Sequence, residues 1–187
     1  MIKTMRLSTV IVAVVSITGT GAADVGAQAA RATAGPVISP FGAVFDVPFI
    51  EVPTDTSMNY RVVFDVLETS ENPGEVNRYI NSVARFMNMQ VRAGVPLENL
   101  QLAIVLHGGA VRDAMKPDAF REAYGAENQN ADLLRLLGEA GVQVYMCGQS
   151  AMSRGLHNDI LVDEVQVGLS AMTVMAMLKA DGYREVN

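Results

Sequence analysis

Hydrophobic positions along the chain change period several times, and each change marks an element. Arg61 to Leu67 (RVVFDVL) is β-branched and apolar over the length of a strand. Leu102 to Leu106 (LAIVL) is a short continuous apolar run, as expected for a strand covered on both faces of a parallel sheet. Val142 to Met146 predicts a third strand, Val162 to Val167 a poorer fourth, and Tyr183 to Val186 a short edge strand. Between these runs the spacing becomes three to four. Val76, Tyr79, Ile80, Val83 and Met87 form one stripe; Asn72 is the expected cap, with Pro73 at the first helical position, Glu75 completing a capping box and Gly94 as the stop. Pro117 to Tyr124 predicts a short helix and Ala131 to Ala140 a longer one closed by Gly141. A short helix to about Arg154 follows Cys147, and Ser170 caps a helix that turns Val174, Met175 and Leu178 inward before Gly182 ends it.

This alternation predicts an α/β fold: a three-layer parallel sheet of about five strands flanked by helices, with right-handed crossovers. Ligands of such sheets bind at the carboxyl ends of strands. Two loops fall there, His107-Gly108-Gly109 after the second strand and Cys147-Gly148-Gln149-Ser150 after the third.

The amino-terminal pattern is different. Lys3 and Arg6 precede an uncharged apolar stretch from Leu7 to Ile17, and small residues such as Gly21-Ala22-Ala23 follow. This is the arrangement of a secretory signal peptide over residues 1–23, with an apolar stretch shorter than the roughly 20 residues of a membrane span. The expectation is a periplasmic or otherwise exported protein with no membrane attachment after cleavage. Residues 24–57 divide into a polar, small-residue linker to about Pro36 and an arm, Val37 to Val52, in which apolar residues are broken by Pro40 and Pro48. The arm is expected to lie extended on the domain or on a neighbouring subunit. Residues 58–187 then make one domain of ordinary length.

Removing Lys3 and Arg6 leaves 12 of the 14 basic residues against 20 acidic ones, a formal charge of −8 in place of −6. That balance argues against nucleic acid and anionic membrane as partners. The chain has a single cysteine, so no internal disulfide can form. Cys147 is therefore a packed apolar filler, a link to another molecule, or a chemical group. A thiolate beside free helix-start amides is favoured by the helix dipole, and the same donors could hold the charge of a persulfide. His107 is either a hydrogen-bonded structural residue or a partner for the thiol, and Gly108 and Gly109 would let backbone amides approach a ligand.

Other chemistries lack support in the residues. Neither G-x-G-x-x-G nor G-x-x-x-x-G-K-[ST] is present, so no nucleotide cofactor is expected. Gly148-Gln149-Ser150 is not the G-x-S-x-G elbow of a hydrolase. Cys147, His107, His157 and Met146 are soft-metal ligand types without close ligand spacing, and Met87, Met172, Met175 and Met177 read as helix packing, so no metal is expected.

Val144-Tyr145-Met146-Cys147-Gly148-Gln149-Ser150-Ala151, with Arg154-Gly155 beyond it, resembles the cysteine segment of the DsrE/DsrF-like family. Val105-Leu106-His107-Gly108-Gly109-Ala110, and Val167-Gly168-Leu169-Ser170 through Gly182-Tyr183, resemble the exported branch of that family, and Phe41-Gly42-Ala43-Val44-Phe45 is a weaker match. The resemblance implies a DsrE-like domain assembled into homo-oligomers, commonly trimers or hexamers. For the sulfur-relay members it implies a cysteine, here Cys147, that accepts sulfane sulfur from a donor and passes it to an acceptor as a persulfide, as a sulfur carrier or sulfurtransferase would. It carries no role for His107 or Gln149. The alternative from the residues is a non-catalytic oligomer whose two loops form a small-ligand or metal pocket, and a third is a structural domain with an inert Cys147.

Overall fold

The computed structural model describes residues 31–186, so the expected signal peptide and the start of the linker lie outside the described residues. Five strands, β1 (Tyr60–Val66), β2 (Leu100–Leu106), β3 (Gln143–Cys147), β4 (Val165–Gly168) and β5 (Arg184–Val186), form one sheet in the order β4-β3-β2-β1-β5. Every pairing is parallel. Helices α1 (Arg78–Arg92), α2 (Pro117–Tyr124), α3 (Gln129–Glu139), α4 (Gly148–Met152) and α5 (Ala171–Ala180) connect the strands. The three-layer α/β expectation holds.

Alternation along the strands separates two cores. Val62, Phe64, Leu102, Ile104, Leu106, Val144 and Met146 pack with Ile80, Val83 and Met87 of α1, Phe120 of α2, and Leu133, Leu134 and Leu137 of α3. The opposite face is thinner: Val63, Ala103, Val105 and Cys147 meet Ala171, Val174 and Leu178 of α5 and Tyr183. The long β4-to-β5 connection therefore covers that face with one ten-residue helix. Its outer side is apolar, with Met172 82% exposed and Met177 67% exposed, so these two methionines are not the packing material their helical position suggested.

The first helix begins later than the capping box predicts. Asn72 and Glu75 do bond, Nδ2 to Oε1 at 2.8 Å, but they close a turn rather than a helix. Asn77 caps α1 by accepting the Tyr79 N–H at 2.8 Å. It wins because the protein surrounds it: its own N–H donates to Asn130 Oδ1 and its Nδ2 to Asp113 Oδ2, both at 2.7 Å. A cap at 77 thereby joins a buried, mutually bonded polar set. Similarly, the fourth strand starts at Val165 rather than Val162, because Val162 gives its N–H to Ala114 O instead of a strand partner. The short helix after Cys147 ends at Met152, two residues before the expected stop.

The arm lies on α1 of its own chain. Asn88, fully buried, accepts the N–H groups of Val37 and Ile38 and donates to the carbonyls of Ile38, Phe41 and Gly42. Arg92 holds the carbonyls of Thr33, Ala34 and Gly35, and Thr33 bridges Val44, so the carboxyl end of the expected linker is tied down. Ile38 and Val44 join the core, whereas Phe49, Ile50 and Val52 remain exposed.

Candidate functional site

Cys147 is the last residue of β3 and caps α4, which places its sulfur where strand becomes helix. Gly148 opens that helix against β4: a Cβ there would stand 2.6 Å from the Gly168 carbonyl oxygen, so only glycine permits the approach. Ser170 starts α5 by accepting the Thr173 N–H, and Ala171, the first residue of α5, turns its own N–H to the cysteine. The sulfur thus sits between the amino termini of two helices.

The residue is 6% exposed, and burial pushes its thiol up. Four donors oppose burial: the Ser150 hydroxyl, then the N–H groups of Ser150, Ala171 and Gln149. They outweigh it, and the thiol pKa lies below its ordinary value. Cys147 also touches the thin core, and the same donors face its sulfur from the other side.

Ser150 is held in turn. Its Oγ accepts the Gly108 N–H at 3.1 Å, tying the loop after β2 to α4. Gly108 has φ +55°, and a Cβ there would lie 2.3 Å from Leu67 Cδ1. Gly109 gives its N–H to Leu67 O at 2.9 Å. The Gly-Gly pair therefore turns the chain into a 3-10 segment, Gly108–Ala114, and packs it on β1; its amides are used internally rather than left for a ligand. Gln149 contributes its backbone N–H to the sulfur, while its side chain reaches Leu169 O at 3.4 Å.

His107 lies one residue past the last β2–β3 pair, Leu106↔Met146, level with Cys147 on the next strand. Its backbone is extended, and its N–H still bonds Val66 O at 2.9 Å, so strand alternation continues and carries its side chain to the face of Val105 and Cys147. On that face its Nε2 is 2.8 Å from Asp65 Oδ1. Asp65 was missed from sequence; the available signal was one acid near the carboxyl end of an otherwise apolar strand, RVVFDVL. The structure thus brings together Cys147, Ser150, Gly108, His107 and Asp65. It leaves apart the soft-ligand set, because Met146 points into the opposite core and His157 is exposed. Among the described residues no group of three or more His, Cys, Asp or Glu could hold a metal ion.

Beside the site, Gly168, Leu169, Val174 and Met177 line part of a cavity of about 410 Å³ between β4 and α5. No helix among the described residues is long and apolar enough to cross a membrane.

Comparison with known proteins gives one family. The model of the DsrE/DsrF-like family matches residues 61–187. No curated protein matches the sequence. Among solved structures, the protein of unknown function MTH1491 from Methanobacterium thermoautotrophicum is 19% identical, with a TM-score of 0.48, over 68% of this chain and 97% of that one. The ychN protein from E. coli is 21% identical, with a TM-score of 0.47, over 68% of this chain and 99% of that one.

Proposed function

The chain belongs to the DsrE/DsrF-like family, and on that premise we propose that it handles sulfur through Cys147, which accepts a sulfane sulfur as a persulfide and passes it to an acceptor thiol or sulfite. The observation that carries this reading is the ring of donors around the sulfur: three backbone N–H groups and the Ser150 hydroxyl. They favour a thiolate, the nucleophile of sulfur exchange, and after transfer they suit the anionic persulfide. Burial protects that persulfide from water and from other thiols. It also requires the site to open, or the donor to be narrow.

The amino-terminal leader pattern supports an exported, periplasmic location for this activity. The exposed apolar side of α5 and the exposed Phe49, Ile50 and Val52 of the arm support assembly into a homo-oligomer, a trimer or hexamer by family resemblance.

Intact mass of the wild-type chain after incubation with cysteine persulfide is the test. The expected result is a gain of one sulfur that reductant removes and that Cys147→Ser lacks while keeping its fold. Equal gain by Cys147→Ser, or none by the wild type, overturns the proposal.

A further inference from the structure

We infer that Asp65 and His107 form a proton-handling dyad for Cys147, fitting the site to donors whose leaving group is a basic thiolate, that is, to thiol persulfides; this rests on the sulfur-carrier reading above. The pair is placed at the carboxyl end of the sheet, on the face of Val63, Val105 and Cys147. Asp65 Oδ1 and His107 Nε2 are 2.8 Å apart and both shut from solvent, yet their directions miss the alignment of a hydrogen bond and neither atom has another partner. The side chains keep 22% (His107) and 31% (Asp65) of their surface exposed, but shutting the two facing polar atoms from solvent without an aligned bond costs stability.

Proximity to the thiol supplies the reason. Neighbouring strands lie about 4.8 Å apart, and His107 is level with Cys147 on the same face, so the two residues occupy adjacent positions on neighbouring strands. The amide ring can stabilise a sulfur anion but cannot move a proton. His107 can take the Cys147 proton; the thiolate electron pair then attacks the terminal sulfur of R–S–SH. A new S–S bond forms as the donor's S–S bond breaks, its electron pair leaves on R–S⁻, and His107 returns the proton to give R–SH. The balance is R–S–SH plus Cys147 thiol giving R–SH plus Cys147 persulfide, with no net oxidation. An ordinary thiolate is the conjugate base of a thiol of pKa about 8.5, so its departure near neutral pH gains from that proton. Asp65 is a positioning residue: it orients the imidazole.

The experiment is single-turnover sulfur uptake from cysteine persulfide by the full chain, between about pH 5 and pH 9, for the wild type, His107→Gln, Asp65→Asn, Asp65→Glu and Cys147→Ser. His107→Gln is expected to slow uptake near neutrality on the order of 100-fold and to flatten the pH profile. Asp65→Asn should slow it about ten-fold, with Asp65→Glu recovering part of the loss. Alkylation of Cys147 by iodoacetamide at the alkaline end, where the leaving iodide needs no proton, should stay near the wild-type rate in the His107 and Asp65 variants. Uptake by His107→Gln and Asp65→Asn at the wild-type rate and profile, with none by Cys147→Ser, overturns the dyad and leaves the carrier reading standing. Equal slowing of uptake and alkylation also overturns it, since that reports a disturbed site. Absence of uptake by the wild type overturns both.

Discussion

The Gly108 N–H donates to Ser150 Oγ at 3.1 Å, joining the end of β2 to the first turn after β3. Because that oxygen accepts from Gly108, the Ser150 hydrogen is free to turn to Cys147, and it is the leading donor that lowers the thiol pKa. Ser150→Ala should therefore slow iodoacetamide alkylation at neutral pH about ten-fold, the worth of one hydrogen bond to a charged group, while leaving the rate in strong alkali unchanged. A stopped-flow alkylation series over pH checks this.

Gly108→Ala should act on the same thiol from the other loop. Its φ of +55° strains any side chain, and its Cβ would collide with Leu67. Loss of about 1–3 kcal/mol of stability is expected, together with a slower-reacting cysteine, because the Ser150 hydroxyl loses its anchor. Urea denaturation and alkylation of the same sample read both effects.

Cys147 links stability to pH. A folded pKa below the unfolded one means that the thiolate contribution is fully present above about pH 8.5 and is lost as pH falls through the lowered folded value. The stability advantage of the wild type over Cys147→Ser should accordingly grow from pH 6 to about pH 9. Denaturation midpoints at several pH values would show a flat difference if the sulfur were an inert filler.

Asp113 should give the opposite slope. It is buried, which raises its pKa against the hydrogen bonds of Asn77 and Thr69 and the charge of Arg112. Its contribution is complete below the ordinary carboxyl value of about 3.9 and is lost as pH rises through the raised folded value. Relative to Asp113→Asn, the wild type should lose stability as pH rises from about pH 4 through the raised folded value, which parallel urea titrations measure.

Asn88→Ala should release the arm. Five backbone groups of residues 37–42 bond that one carboxamide, and those without a second partner would be left unsatisfied. A loss of about 3 kcal/mol is expected, with new proteolytic cleavage between residues 33 and 52. Cleavage at the wild-type rate would show that apolar contacts at Ile38 and Val44 hold the arm unaided.

The sequence by itself determined the alternation of strands and helices, the α/β class and the position of Cys147 at a strand end, since these depend on local period and on glycine and serine caps. Pro117 at the start of α2 and Ser170 before α5 were legible for that reason. The start of α1 was not: Asn72 and Asn77 offer the same cap chemistry, and the choice fell to Asp113 and Asn130, which lie far along the chain. For the same reason only tertiary structure brought Ala171 to the sulfur, Gly108 to Ser150 and Asp65 to His107. Parallel pairing places residues from distant strands side by side, and local periodicity carries no record of which strand becomes whose neighbour.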